Sequence, residues 1–182
     1  MECLPIRFLP QSGKLLRMTE RTLVLLRHAK AERPAGTSDL ARPLTARGHA
    51  DAAAVGAWLA HRGLLPAEVI CSPSKRTRQT WHGVALALGG AGPEVRYEPT
   101  VYAGTARELL DLIRAAPDGA ATVLLIGHNP TISDLSGLLD PEAARDSDGL
   151  RTSGIAVHHF DGSWADCDPG KVALEATHTA RG

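Results

Sequence analysis

Cysteine is scarce in this sequence, since only Cys3, Cys71 and Cys167 occur among its 182 residues. The three lie far apart and form no Cys-x-x-Cys pair. Their spacing excludes the dense disulfide framework of small secreted proteins and argues against a structural zinc site. Such a pattern is typical of a reducing compartment, so we expect the protein to act in the cytoplasm.

Long hydrophobic runs and an excess of either charge are also missing. No apolar stretch approaches the roughly 18 residues of a membrane span, so no membrane partner is predicted. Lys plus Arg and Asp plus Glu number 20 each, so the chain lacks the overall basic field that attracts nucleic acid. A P-loop and a cluster of carboxylates are absent as well, which disfavours Mg²⁺ chemistry. We expect neither a metal nor another cofactor.

The remaining composition is that of an ordinary globular domain, with 43% hydrophobic and 22% charged residues. Residues 1–21 mix prolines and basic residues with isolated apolar ones and lack the apolar core of a signal peptide. We predict a flexible leader over residues 1–21 and a single domain over residues 22–182. Met18 directly precedes the first predicted strand, so Met1 and Met18 are both candidate translation starts.

Two short apolar runs each end in a histidine. Residues 22–26 are followed by Arg27 and His28, and residues 122–126 are followed by a glycine and then His128. Runs of this length and composition predict strands that are buried on both faces of a parallel sheet. Ligands in such sheets bind beyond the carboxyl ends of the strands. We therefore expect both histidines to lie in one crevice.

A third segment adds positive charge to this predicted crevice. Residues 68–71 predict a strand, and Ser72 followed by Pro73 predicts the N-cap and first residue of a helix. Three basic residues would then occupy the first turns, where the helix dipole disfavours cations: Lys75, Arg76 and Arg78. A bound anion would resolve this conflict.

The other elements are predicted from caps and breaks. Thr45 is expected to cap a helix that ends near Gly63, and Asn129 to cap one that begins at Pro130. Thr105 and Glu108 have the spacing of a capping box. Residues 94–97, 153–157 and 172–176 predict the remaining strands. The aromatic side chains of Trp81 and Tyr102 either line the site or pack in the core, and we expect packing for each.

Three segments occur in an order that resembles the histidine phosphatase superfamily, also called phosphoglycerate mutase-like. They are Leu-Arg-His-Ala at 26–29, Ser-Pro-Ser-Lys-Arg-Thr-Arg-Gln-Thr at 72–80 and Gly-His-Asn-Pro at 127–130. Residues 42–45 and 152–156 are most similar to the SixA-type phosphohistidine phosphatase branch. The resemblance implies a three-layer α/β/α sandwich around a mixed, mostly parallel sheet. It also implies a metal-independent phosphatase.

Site residues follow from the same resemblance. His28 is expected to attack phosphorus and form a phosphohistidine intermediate, with a backbone carbonyl fixing the tautomer of its ring. Arg27, Arg76 and His128 are expected to bind the phosphoryl oxygens. Arg42, Asn129 and Ser153 complete the predicted substrate contacts.

The sequence departs from the superfamily in one respect that bears on the substrate. No Glu stands in a context that resembles the general acid of the family, although Asp39, Glu108 and Asp111 remain candidates. An ester leaving group needs protonation, whereas the imidazole of a phosphoramidate is a good leaving group once solvent has protonated it. The substrate predicted is therefore phosphohistidine in a protein. A phosphatase of small phosphomonoesters and a non-catalytic phosphate-binding protein are the alternatives.

Overall fold

The computed structural model describes residues 19–90, 92–144 and 146–182. The strands in these ranges are β1 (Glu20–Arg27), β2 (Glu68–Cys71), β3 (Val95–Tyr97), β4 (Thr122–Gly127), β5 (Gly154–Asp161) and β6 (Ala173–Thr179). The helices are α1 (Ala46–His61), α2 (Lys75–Ala87), α3 (Pro99–Ala103), α4 (Ala106–Arg114) and α5 (Thr131–Leu139). Short 3-10 turns lie at Asp39–Ala41 and Trp164–Asp166. None of the described helices has the length and apolar character needed to cross a membrane.

The strands form one sheet in the order β3-β2-β4-β1-β5-β6. β1 and β4 are parallel neighbours, and β2 and β3 continue the parallel part beyond β4. β5 is antiparallel to β1, and β6 is antiparallel to β5. The prediction of a mixed, mostly parallel sheet is confirmed.

Side chains along β1 alternate between two buried layers, as the period of a strand requires. Leu23 and Leu25 pack with residues of α4 and α5, namely Leu109, Leu110, Ile113, Ile132 and Leu135. Val24 and Leu26 pack on the opposite face with residues of α1 and α2, namely Val55, Leu59, Trp81 and Val84. Helices therefore cover both faces of the sheet, which confirms the predicted three-layer sandwich.

β1 begins earlier than predicted. Glu20 and Arg21 were expected to belong to the leader, but both lie in β1. The Arg21 side chain is buried and donates hydrogen bonds to the carbonyl oxygens of Gly162 and Ala120, at 3.1 and 2.9 Å. These bonds fix the start of the strand. Both join residues that are remote in the chain, so the local sequence does not reveal them. The rest of the predicted leader, including Met18, lies outside the described residues.

The loop between β1 and α1 is held against the first turn of that helix. Thr45 caps α1 as predicted, since its hydroxyl accepts from the N–H of Gly48 at 2.8 Å. The Thr45 N–H donates to the carbonyl of Lys30 at 2.9 Å. A Cβ at position 48 would lie 2.1 Å from that same carbonyl oxygen. Only glycine allows the loop to approach α1 so closely.

Most of the remaining predictions differ from the structure only at their ends. β2 and the capping box of Thr105 and Glu108 are confirmed. β5 and β6 are longer than predicted and β3 starts at Val95. The short helix α3 was not predicted, because its five residues are too few to show helical periodicity.

Candidate active site

The site lies at the carboxyl ends of β1 and β4. Arg27 is the last residue of β1 and pairs in register with Gly127, the last residue of β4. Each strand is followed directly by a histidine, so the rings of His28 and His128 come together with their centroids 5.1 Å apart. The prediction that the two histidines share one crevice is confirmed.

His28 is held in one tautomer by the main chain. Its Nδ1 lies 2.7 Å from the carbonyl oxygen of Ala29, and a carbonyl can only accept, so Nδ1 carries the proton. Nε2 then keeps a free lone pair. Burial lowers the pKa of His28 to about 4, helped by the charges of Arg76, Arg27 and Arg42 and opposed by the bond to Ala29. The ring is therefore neutral at pH 7, as nucleophilic attack requires.

His128 is oriented through both ring nitrogens. The Nη2 of Arg76 lies 3.2 Å from Nδ1 and can only donate, so Nδ1 is the acceptor. Nε2 then carries the proton and donates to the hydroxyl of Ser72 at 2.8 Å. Burial lowers the pKa of His128 to about 3, with further contributions from His28 and Arg76. The resulting neutral ring is fixed by Ser72, which precedes α2, and by Arg76 in the first turn of that helix.

Two arginines point buried donors at this region. Arg27 donates from Nη1 to the carbonyl oxygen of Leu150 at 2.7 Å. Arg76, only 5% exposed, donates from Nη1 and Nη2 to the carbonyl and carboxylate oxygens of Asp39, at 2.6 and 2.9 Å. The Nε atoms of both arginines are buried and have no hydrogen-bond partner among the described residues. A buried N–H without an acceptor is costly, and an anion would satisfy both.

α2 begins later than predicted. Ser74, not Ser72, is its N-cap and accepts from the N–H of Thr77. The prediction for Ser72 is wrong: its hydroxyl accepts from Nε2 of His128 at 2.8 Å and from the N–H of Ser74 at 3.4 Å, and the helix begins only after Ser74. The first turn does lack acidic residues, as predicted, but of the three basic side chains Lys75 and Arg78 are exposed. Arg76 alone among them is buried toward the site.

Asp39 and Tyr102 lie beside Arg76 and His128 and form one wall of the candidate site. The Asp39 carboxylate accepts from Arg42 Nη1 at 2.9 Å and from the Tyr102 hydroxyl at 2.8 Å, in addition to Arg76. The Tyr102 ring meets the ring of His128 edge-on, with centroids 5.5 Å apart. The expectation that Tyr102 packs in the core is therefore wrong, whereas Trp81 is buried in the core as expected.

The comparisons with known proteins agree with this geometry. The model of the histidine phosphatase superfamily (branch 1) matches residues 23–101. The uncharacterized protein Rv1276c of Mycobacterium tuberculosis is 39% identical over 165 residues, which are 86% of this chain and all of that protein. A structure of a candidate phosphohistidine phosphatase SixA from Nakamurella multipartitia is 35% identical with a TM-score of 0.74, over 88% of this chain and 96% of the other. The chain belongs to the histidine phosphatase superfamily.

A second similar structure was solved with an oxyanion bound. The protein histidine phosphatase SixA complexed with tungstate is 25% identical with a TM-score of 0.75, over 87% of this chain and 96% of that one. This protein is accordingly a phosphatase, and the prediction of a hydrolase of this superfamily is confirmed.

Three further residues were predicted to contact substrate in this phosphatase. Arg42 is tied to the Asp39 carboxylate and donates from Nε to the carbonyl of Glu32 at 2.8 Å. Asn129 donates to the carbonyl of Leu150 at 2.9 Å and accepts from Ser133 at 2.7 Å. These bonds replace the helix cap that was predicted for Asn129, since α5 has no side-chain cap.

Ser153 lies beside the backbone of His28. Its N–H donates to the carbonyl of His28 at 3.2 Å, and its φ of 59° places it in the left-handed region. The hydroxyl is fully buried and has no partner within the described ranges. The structure therefore brings Ser153 to His28 through the main chain.

The three candidate acids differ in position. Glu108 closes the capping box with Thr105, and Asp111 pairs with Arg114 at 3.2 Å on the same helix. Asp39 does reach the site, but hydrogen bonds from Arg42, Tyr102 and Arg76 hold the pKa of its carboxyl far below the ordinary range. An acid must carry a proton to give, and Asp39 is ionised at any working pH.

A cavity of about 850 Å³ lies between α5, residues 143, 144 and 146–151, and β6. Asn129 is on its border, but Arg27, His28, Arg76 and His128 do not line it. The two histidines and two arginines of the candidate site are therefore not part of this cavity, although Arg27 and the cavity-lining Asn129 both donate to the Leu150 carbonyl.

Proposed function

We propose that this phosphatase removes phosphate from phosphohistidine in a protein, through a covalent phosphohistidine on His28. The observation that carries the proposal is the state of His28. Its Nδ1–H is bonded to the Ala29 carbonyl at 2.7 Å, which leaves a free lone pair on Nε2 of a neutral ring. The charges of Arg76 and Arg27 act on this ring, and both arginines keep a buried, unpartnered Nε–H among the described residues. The relatives described as SixA phosphohistidine phosphatases support the substrate class.

The reaction has two displacements. Nε2 of His28 attacks phosphorus, and the bond from phosphorus to the substrate imidazole breaks as that imidazole takes a proton from solvent. Water then attacks the phosphorus on His28, and the bond to Nε2 breaks to release inorganic phosphate. Arg27 and Arg76 bind the equatorial oxygens in both steps, where charge stabilisation is the main demand. His128 binds one of these oxygens through its Nε2–H, which the Ser72 hydroxyl accepts in the absence of substrate.

The other predicted site residues influence the charge or the position of His28 and Arg27. We assign Arg42 a long-range contribution of positive charge, since its guanidinium lowers the pKa of His28. Asn129 shares the Leu150 carbonyl with Arg27 and thereby positions that arginine. Ser153 positions the main chain of His28 through its N–H.

The choice of a phosphoramidate over an ester follows from the candidate acids. Asp39 is ionised, and Glu108 and Asp111 are occupied by Thr105 and Arg114. A poor ester leaving group would depart unprotonated, which raises its barrier, whereas a protonated imidazole departs readily. Charge stabilisation by guanidinium and imidazole groups also supports activity without a metal. The buried free thiols of Cys71 and Cys167 support a reducing cytoplasm.

The test is phosphate release from a phosphohistidine protein and from a panel of phosphate esters, with chelator present. Wild type is expected to act faster on phosphohistidine and to yield an alkali-stable, acid-labile phosphoenzyme. His28→Ala should abolish both, while His82→Ala, which changes an exposed histidine of α2, should leave both unchanged. Faster turnover of esters would instead favour a small-molecule phosphatase. No phosphoenzyme at all would favour a phosphate-binding protein.

A further inference from the structure

Asp39 holds Arg76 in one orientation. The guanidinium of arginine offers two pairs of donors, an end pair on Nη1 and Nη2 and a side pair on Nε and Nη2. Asp39 takes the end pair, with its main-chain oxygen on Nη1 and carboxylate Oδ2 on Nη2. The side pair faces His128, whose Nδ1 accepts the second hydrogen of Nη2 at 3.2 Å. The remaining member of that pair is the buried, unpartnered Nε–H.

The carboxylate of Asp39 is itself fixed from two other directions. Oδ1 accepts from Arg42 at 2.9 Å, and Oδ2 accepts from the Tyr102 hydroxyl at 2.8 Å. The Arg76 guanidinium also lies 5.9 Å from the centre of the Tyr102 ring. Residues from the β1–α1 loop, α2 and α3 thus meet at one carboxylate.

We propose that Asp39 is a positioning residue of this phosphatase, which binds the end pair of Arg76 and so presents its free Nε–H to a phosphoryl oxygen. Tyr102 positions Asp39 in turn. The inference rests on the proposed function, because it assigns Arg76 to the phosphoryl group. Asp39 transfers no proton, in keeping with an ionised carboxylate bonded to two guanidinium groups.

The experiment is a double-mutant cycle between Asp39→Asn and Arg76→Ala, read by calorimetric titration with inorganic phosphate. An asparagine cannot accept from both Arg42 and Arg76, because one end of its amide is a donor. Asp39→Asn should weaken phosphate binding about tenfold, the effect of one charge-assisted hydrogen bond. In the Arg76→Ala background the same change should have no further effect, because the group that Asp39 positions is gone.

Turnover supplies the second readout. If Asp39 acts through Arg76, Asp39→Asn should slow phosphoenzyme formation by the same factor for good and poor leaving groups. A loss confined to poor leaving groups would show a general acid and overturn the proposal. Tighter phosphate binding by Asp39→Asn, or additive losses in the double variant, would also overturn it. Tyr102→Phe should give a smaller loss of the same kind.

Two controls separate this proposal from folding and from the proposed function. The Asp39 side chain is 51% exposed, so Asp39→Asn should keep the thermal midpoint of wild type. Asp111→Asn, which changes an exposed carboxylate of α4 with one arginine partner, should leave phosphate binding unchanged. If wild type forms no phosphoenzyme, the proposed function fails, yet the phosphate cycle still decides whether Asp39 positions Arg76.

Discussion

Two serines near the start of α2 have different partners although both are fully buried. Ser72 accepts the Nε2–H of His128, and Ser74 caps the helix by accepting from the N–H of Thr77. At the scale of single residues, the first serves the geometry of the site and the second serves the stability of the helix. Their variants should therefore separate activity from folding.

Ser72→Ala should lower kcat about tenfold, the effect of losing one hydrogen bond that orients a reacting group. Without Ser72 the His128 ring loses the acceptor for its Nε2–H and with it one of its two fixed contacts. Ser74→Ala should instead lower the free energy of unfolding by about 1 kcal/mol, the usual contribution of an N-cap, and leave kcat close to wild type. Steady-state kinetics and urea unfolding of both variants check this. The reverse pattern would contradict the assignment of the two hydroxyls.

Gly48 illustrates a constraint at the scale of elements. It lies in the first turn of α1, where a Cβ would come within 2.1 Å of the Lys30 carbonyl. That carbonyl belongs to the loop that carries Asp39 and Arg42. The distance between α1 and this loop is therefore set by the absence of a side chain.

Gly48→Ala should destabilise the fold by about 2 kcal/mol, within the usual cost of overpacking, because either the loop or the helix must move. Phosphate binding should weaken as well, since the loop supplies the partner of Arg76. Gly119→Ala is the matched control, because a Cβ there meets no atom within 4 Å and φ is not positive. Thermal unfolding and phosphate titration of the two variants provide the comparison. Equal stability of both would show that the loop adapts freely.

The elements that the sequence predicts well are those with a strong local signal. β1, β2 and β4 are short apolar runs that stop at polar residues, and Thr45 and Thr105 are caps whose partners lie within three residues. From these strands it follows that Arg27, His28 and His128 meet at one sheet edge. The sequence does not show how their hydrogen bonds are completed.

The missed contacts join residues that are remote in the chain. Tyr102 is 63 positions from Asp39, and Ser72 is 56 positions from His128. From the local sequence alone, Ser72 before Pro73 is as good an N-cap as Ser74, because nothing in it reveals the bond to His128. The sequence therefore predicts the start of α2 too early. Neither hydrophobic periodicity nor the rules for helix caps predict a hydrogen bond between residues that are remote in the chain. For this reason the sequence alone favours a core position for Tyr102.

At the scale of the whole molecule, burial keeps the imidazole rings of His28, His128 and His158 neutral in the folded protein. Burial lowers the pKa values of His28 and His158 to about 4 and that of His128 to about 3. His158 lies away from the site, between the hydroxyl of Ser136 and the carbonyl of Val172. In the unfolded chain each would titrate near its ordinary value of 6.5.

The free energy of unfolding should therefore fall as the pH drops from about 6.5 toward 4. In that window the unfolded chain binds protons that the folded chain does not, and each such proton contributes up to about 1.4 kcal/mol per pH unit. Urea unfolding at pH 7, 6 and 5 measures how steeply the free energy of unfolding changes with pH, above the range in which carboxylates titrate. His28→Asn should reduce the slope by up to one proton. A stability that is flat from pH 7 to 5 would contradict the burial of these rings.

The bond between His28 and the Ala29 carbonyl also bears on how this protein tolerates mutation. Every peptide unit has a carbonyl, so no single amino-acid substitution can delete the acceptor that fixes the nucleophile's tautomer. Ser72 and Asp39, by contrast, orient His128 and Arg76 through side chains that one codon change removes. Among random variants that stay folded, partial losses of activity outside the four predicted catalytic residues should therefore include substitutions at residues 39 and 72, while position 29 should accept any side chain that fits its buried space.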